Sequence, residues 1–309
     1  MKAVVGRRFA KPGALQIEDI DRPLVSADCV LVRVRASSAN PVDLFLPRRT
    51  VLGHDFAGTV EAVGKDVTEF SSGDAVFGEA LRTYAEYVCV PENGTLVPKP
   101  TNVTFEQAGA VPVAGVTALQ ALRDHGHLQR GQRVLVNGAS GGVGTFAVQI
   151  AKAFGAHVTA VCSPGNVDLV ASIGADGVID YTKEDFTEDG RRYHLLLDIA
   201  GSTPWSRCWR VLEPNATFVA VGAASVQYQS SWGGLGHLAR VRLASLGRRR
   251  KTRFFITKVR REDLKALADL LEEETLTPVI DRRYPLDEVR AALTYLSEGH
   301  AKGKIVFTI

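Results

Sequence analysis

Residues 134 to 166 read VLVNGASGGVGTFAVQIAKAFGAHVTAVCSPGN. The run RVLVNGAS is a continuous apolar strand that ends in small residues, as expected of a buried parallel sheet. TFAVQIAKAFGA is apolar on most faces and suits a helix packed tightly on that sheet. HVTAVCS then reads as a second strand. Aligned to G-x-G-x-x-G, the turn is Ala139-Ser140-Gly141-Gly142-Val143-Gly144, with Gly138 before it and alanine in place of the first glycine. Gly141 lets backbone N–H groups approach a pyrophosphate, and Gly144 lets the helix lie close to the strand. The anion then sits at the positive helix N-terminus. A glycine pattern alone is weak, but strand before and helix after are the context that gives it meaning.

The rest of the chain extends this unit. HVTAVCS, NVDLVASIGA, GVIDY, HLLLDIAG, WSRCWRVL and ATFVAVG alternate strand-like and helix-like patterns, which indicates an α/β doubly wound parallel sheet. Residues 1 to about 100 differ. MKAVVG, CVLVRVRAS, DFAGTVEAVG and AEYVCVP are short apolar or alternating runs between turn residues, so this part is a compact, mostly β unit. The character changes near Thr104, where Thr104 and Gln107 form a capping box. EDLKALADLLEEE and DEVRAALTYLSEG are amphipathic helices, the second closed by Gly299. PVIDRRYPL reads as extended, and KGKIVFTI is a final strand.

Composition excludes several classes. The 309 residues are 45% hydrophobic and 23% charged, as in an average globular protein. No apolar run is long enough to span a bilayer, and MKAVVGRRFAKPG lacks a signal-peptide apolar region, so a cytoplasmic protein without membrane partners is expected. The net charge of +3 is too small to argue for nucleic acid. The basic run GRRRKTR reads instead as a solvated loop or helix end. Cys29, Cys89, Cys162 and Cys208 are scattered and suit buried free thiols.

The nucleotide choice falls at the end of the second strand, where an NAD enzyme usually carries an acid for the ribose hydroxyls. Here the chain reads Cys162-Ser163-Pro164-Gly165-Asn166. No carboxylate repels a 2′-phosphate, and Ser163 and Asn166 can donate to one. They also suit the capping of a helix that begins near Val167. The reading is NADP(H), with NAD(H) left open.

The motifs SANPVD (38–43), GHDFAGTVEAVG (53–64), GDAVFG (73–78), YAEYV (84–88), AGVTALQAL (114–122), NGASGGVG (137–144), GADGVIDY (174–181) and GHAKGKIV (299–306) occur in one order over nearly the whole chain. In this the chain resembles the medium-chain dehydrogenase/reductase superfamily, and within it the zinc-free quinone oxidoreductases of the zeta-crystallin type. The resemblance implies a GroES-like β-rich catalytic domain from residues 1–115 and 259–309. A Rossmann NADP(H)-binding domain from 116–258 would be inserted between them. It also implies a homodimer.

Site roles follow from the same resemblance. Asn40 would face the reacting centre and Asp43 would orient the turn or substrate; the residues alone suit a plain Asn-Pro turn with an acid as cap. Thr117 would lie near the cofactor phosphates or nicotinamide, Tyr181 at the adenosine 2′-phosphate, and Gly222 and Ala223 along the nicotinamide. Lys304 would contact the pyrophosphate or be a solvated surface lysine. Zinc-dependent relatives carry a cysteine ligand where this chain has Asn40, a histidine at His54 and a cysteine near Ala114. One histidine cannot build a site that needs three protein ligands, so no metal is expected and His54 would be packed or would support its neighbours.

Three departures stand out. Gly165 or Asn166 stands where many NADPH-using relatives carry a basic residue, which implies either weak phosphate affinity or a charge supplied by Arg or Lys from 248–258. Phe45 stands where a tyrosine or tryptophan is common, and it cannot donate a proton. Asn215 replaces a turn glycine. The implied chemistry is zinc-independent hydride transfer from NADPH to a quinone or α,β-unsaturated carbonyl, with Asn40 or backbone N–H groups polarising the acceptor. The alternatives are an enoyl or carbonyl reductase of one pathway, or an NADPH-binding sensor or structural protein with little catalysis.

Overall fold

The computed structural model describes residues 1–6, 15–44, 50–188, 190–221 and 251–309. They divide into two units, Met1–Val116 with Lys258–Ile309, and Thr117–Thr257.

The first unit opens with β1 (Lys2–Gly6), β2 (Gln16–Asp19), β3 (Cys29–Ser38), β4 (Thr50–Val51), β5 (Asp55–Val63), β6 (Ala75–Glu79), β7 (Tyr87–Pro91) and β8 (Leu96–Pro98). After β8 comes α1 (Phe105–Gly109), where Thr104 and Gln107 form the expected reciprocal cap. α2 (Pro112–Gln120) follows, with proline in its first turn, where no N–H is missed.

The second unit contains β9 (Arg133–Asn137), α3 (Gly142–Ala153), β10 (His157–Cys162), α4 (Val167–Ser172), β11 (Gly177–Asp180), β12 (Tyr193–Asp198), α5 (Trp205–Cys208), β13 (Leu212–Val221) and β14 (Lys251–Phe255). The chain then returns to the first unit with α6 (Arg261–Glu272), β15 (Ile280–Pro285), α7 (Val289–Ser297) and β16 (Lys304–Thr308).

In the first unit the main sheet runs β15-β16-β3-β5-β6-β8, with β7 also on β3, and β2-β1-β4 forms a smaller sheet. In β3, Val32 and Val34 are buried while Arg33 and Arg35 face solvent, the period-2 pattern of a sheet with one wet face. The closing strand β16 lies antiparallel to β3, with Val306 opposite Ser38. This pairing brings residues near 304 beside residues near 40.

In the second unit the sheet runs β11-β10-β9-β12-β13-β14, and its pairings are parallel. The order reverses direction between β9 and β12, which in doubly wound sheets is where ligands bind, at the carboxyl ends of the strands. Leu135, Val161, Ile179, Leu196, Trp209 and Phe218 pack one core here, consistent with strands that are apolar without alternation. Asn215 has φ of 70°, a left-handed turn position that asparagine and glycine tolerate best, which accounts for the glycine it replaces. Lys251–Arg253, the end of the run GRRRKTR, lie in the edge strand β14 and not in the loop or helix end expected of that run; its residues 247–250 lie outside the described residues. Among the described residues no helix is long and apolar enough to cross a membrane.

Candidate functional site

The first unit buries a cluster of charged groups around the NPVD turn, which is a short 3-10 helix over Pro41–Leu44. Lys304 is 3% exposed. Its ammonium donates to the Asn40 Oδ1 at 2.6 Å and the Ala39 carbonyl at 3.1 Å, and lies 3.5 Å from the Asp55 carboxylate. Asn40, only 2% exposed, donates its amide to Asp55 Oδ2 at 2.8 Å and to the Ser38 carbonyl at 3.3 Å. Ser38 donates to the same Asp55 oxygen, and Asp55 Oδ1 accepts from the backbone of Val113 in the first turn of α2. Burial pushes the Lys304 pKa down, against the pull of Asp55 and Asp43.

Asp43 is the second centre. Its Oδ2 accepts from the Asn40 N–H at 2.8 Å and from the Tyr84 hydroxyl at 2.6 Å, while Oδ1 lies 2.8 Å from His54 Nδ1. Burial would lower the His54 pKa, but the hydrogen bond and charge of Asp43, with Asp55 and Glu79 further off, hold it above its ordinary value. Glu79 is raised by burial, against the pull of His54. Tyr84 is raised well above its ordinary value by burial and by Asp43, so it stays a donor. Gly53 has φ of +96°, and a Cβ there would fall 2.4 Å from the Tyr84 ring; the glycine lets Tyr84 close over the turn.

In the second unit, the glycine turn joins β9 to α3. A Cβ on Gly144 would fall 2.2 Å from the Gly138 carbonyl oxygen, whereas on Gly141 its nearest neighbour would be that oxygen at 3.7 Å. Gly144 is therefore required by packing, and Gly141 leaves a space that the described residues do not fill. Gly141 is the N-cap of α3 and no side chain caps the helix, so the first-turn N–H groups are left for an anion. Asn137 and Asp198, at the ends of β9 and β12, brace the approach: Asn137 donates to Asp198 at 2.8 Å.

At the end of β10, Asn166 donates to Ser140 Oγ and Ser163 Oγ, both at 2.9 Å. Neither Ser163 nor Asn166 makes a helix-capping bond, so the capping expectation is corrected. Tyr181 is 60% exposed, and its N–H bonds the Cys162 carbonyl, which places its backbone beside this strand end. Thr117 is bonded through its hydroxyl to Thr257 at 2.8 Å.

Other expectations also change. Lys304 is not a surface lysine, and its donors are engaged with Ala39 and Asn40. Asn40 gives its amide to Asp55 and Ser38, so that amide is not free to polarise an acceptor. Lys251 and Arg253 lie on β14, four strands from β10, about 19 Å away, too far to supply a charge beside Asn166. Cys29 and Cys89 are half-buried, while Cys162 and Cys208 are buried. Gly222, Ala223, Phe45 and residues 248–250 lie outside the described residues. Asp55, Tyr84 and Asp198 went unrecognised in the sequence; the only local sign was an acid opening or closing an apolar strand.

The alcohol dehydrogenase GroES-like domain matches residues 26–101, and the family described as zinc-binding dehydrogenase matches residues 173–307. A chloroplast envelope quinone oxidoreductase homolog from Arabidopsis thaliana is 32% identical over 320 residues, covering 95% of this chain and 94% of its own. The chain belongs to the medium-chain dehydrogenase/reductase superfamily. Another member of this superfamily, the trans-enoyl reductase pgmF of Aspergillus terreus, is 34% identical, covering 91% of this chain and 86% of its own. The solved quinone oxidoreductase of Coxiella burnetii is 29% identical with a TM-score of 0.86, covering 100% of this chain and 99% of its own. Superfamily membership makes the chain a nicotinamide-dependent oxidoreductase, with a GroES-like domain and a Rossmann-like parallel sheet.

Proposed function

We propose that the chain is a zinc-independent, NADPH-dependent oxidoreductase that reduces quinones or α,β-unsaturated carbonyls. The observation that carries this reading is the buried ammonium of Lys304 beside Asn40 and Asp55. A zinc ion needs three protein ligands. Here Asn40 Oδ1 accepts from Lys304 and the Asp55 carboxylate is bonded by Ser38, Asn40 and Val113, so of this cluster His54 Nε2 alone is left to face a metal, one ligand where three are needed. These donors do not fit a zinc site, because a fixed cation already neutralises the cluster.

The residues of the glycine turn fit a dinucleotide: Gly141 leaves room and α3 presents uncapped N–H groups. When bound, the dihydronicotinamide supplies the hydride. The protein supplies the rest. Gly141–Gly144 hold the pyrophosphate, and Ser140, Ser163 and Asn166 form a neutral strand end that tolerates a 2′-phosphate, with Tyr181 beside it. Asp43, Asn40 and Lys304 keep the NPVD turn rigid. A conjugated acceptor delocalises its developing charge and needs less polarisation than a simple ketone, which suits a site without a Lewis acid.

The test is NADPH oxidation by chelator-treated protein with 1,4-benzoquinone and with 3-penten-2-one. Turnover insensitive to chelation is expected. Tight nicotinamide binding without turnover of either acceptor overturns the reading. A second reading, an enoyl reductase of one pathway, is favoured by the likeness to the trans-enoyl reductase; acyl-thioester enones turned over far better than free quinones would select it.

A further inference from the structure

The reduction of a quinone or enone leaves an anion that must be protonated, and the sequence offers no evident acid. The structure offers one. Asp43 Oδ1 lies 2.8 Å from His54 Nδ1, and the Asp43 side chain is fully buried while that of His54 is 13% exposed. With Nδ1 held as the donor to Asp43, the ring turns its other nitrogen, Nε2, away from the carboxylate. Asp43 is itself held on its second oxygen by the Asn40 N–H and the Tyr84 hydroxyl. This is the arrangement of an acid–base imidazole whose tautomer and orientation are set by a fixed carboxylate.

Exposed apolar side chains lie on the segments that carry this pair. Val42, within the same turn as Asp43, is 41% exposed, and Leu81 is 67% exposed. Leu81 stands between Ala80, whose N–H bonds the His54 carbonyl, and Arg82, whose N–H bonds the Gly53 carbonyl. The backbone that carries Leu81 is thus fixed directly to the residues that carry the imidazole.

We propose that His54 is the general acid of the reaction, with Asp43 as its positioning residue. This rests on the reading that the chain reduces quinones or enones with a dihydronicotinamide. The acceptor would take up a hydride as a C–H bond of the dihydronicotinamide breaks and a new C–H bond forms, which would leave the nicotinamide oxidised and the acceptor reduced to an oxyanion. The Nε2–H bond of the His54 imidazolium breaks and a bond from that proton to the oxyanion forms. The imidazole becomes neutral and regains a proton from solvent. Asp43 stays ionised throughout and stabilises the imidazolium. The groups around the ring are Asp43 in the turn, Asp55 on β5, Glu79 on β6, Tyr84, and Lys304 on β16 behind Asp43 and Asp55. The acids favour the charged imidazole, and Lys304 offsets part of their field.

The test uses the whole protein and two variants. His54→Asn keeps an N–H where Nδ1 was, so the bond to Asp43 survives and the ionisable proton is lost. Asp43→Asn removes the charge. In nicotinamide-free protein, the His54 imidazole followed by NMR is expected to titrate above the ordinary histidine value and to fall in Asp43→Asn. With NADPH and 3-penten-2-one, His54→Asn is expected to lower kcat about a hundredfold with the acceptor KM within about twofold. The wild-type fall in kcat at high pH is expected to disappear. A His54→Asn enzyme that keeps its kcat and its pH profile overturns the proposal, as does a His54 titration unmoved by Asp43→Asn. Wild type that binds NADPH but reduces neither 3-penten-2-one nor 1,4-benzoquinone overturns the underlying reading as well; an unchanged variant of an active enzyme overturns the role of His54 alone.

Discussion

The polar groups around the NPVD turn of the discontinuous unit are charged and interlocked, while Ser140, Ser163 and Asn166, beside the end of β10 in the parallel sheet, are neutral and loosely tied. Lys304, Asp55, Asn40 and Asp43 each have two or more partners fixed by distance. At the end of β10, Asn166 bonds only two hydroxyls, and its Oδ1 has no partner among the described residues. The difference fits the role proposed for each region. A turn beside reacting atoms must not move and must stabilise charge in a dry environment, where every unpaired ion is costly. A strand end that receives a nucleotide needs open space, N–H groups and hydroxyls that donate or accept as the ligand requires.

The comparison can be broken most severely at Lys304. Lys304→Met leaves Asp55 buried without its cation, and a loss of about 3–5 kcal/mol of unfolding free energy is expected in urea titration. Gly144→Ala comes next. Its Cβ overlaps the Gly138 carbonyl, and a loss of about 1–3 kcal/mol is expected from the same measurement. Gly141→Ala sharpens the contrast, because among the described residues the nearest neighbour of its Cβ is the Gly138 oxygen at 3.7 Å, an ordinary contact. Stability is expected to change by less than about 0.5 kcal/mol, while NADPH affinity, followed by nicotinamide fluorescence, falls by about tenfold as the methyl enters the pyrophosphate space. Asn166→Asp is isosteric and adds a charge beside Ser140 and Ser163; NADPH affinity is expected to fall by about tenfold and NADH affinity to hold.

The smallest effect concerns pH. His54 has a raised folded pKa, so it binds its proton more tightly folded than unfolded. Its contribution to stability is full below the unfolded value of about 6.5 and is lost as pH rises through the folded value. Urea unfolding across neutral pH is expected to show this slope in wild type and not in His54→Asn. An unchanged slope breaks the account of the Asp43–His54 pair.

What could be read from the sequence was local. The strand–glycine–helix unit at 134–154 and the Thr104–Gln107 cap lie within single turns of the chain, so residue types at fixed spacing reveal them. The amphipathic pattern of EDLKALADLLEEE likewise marks α6, whose Leu264, Leu267 and Leu271 are buried. The charged cluster was not legible, because Lys304 and Asn40 are 264 positions apart and meet only through the β16–β3 pairing. Lys304 in KGK looked like any solvated lysine. His54 looked structural, because nothing in GHDFAG says that Asp43, eleven residues earlier, will turn back to it. Asn166 misled for a related reason: its capping geometry was plausible locally, and the tertiary partner Ser140, 26 residues away, won.

The pairing of β16 with β3 also sets an order of assembly. The segment Thr117–Thr257 is continuous and can close its parallel sheet as soon as it is synthesised. The other unit cannot finish, because Asp55 and Asn40 wait for an ammonium carried by the last strand. Until Lys304 arrives, the NPVD turn has its acids in place and no counter-ion, a state the protein passes through each time it is made. Clipping β16 from the finished protein would return it there, with the parallel sheet left whole and the NPVD turn unfastened.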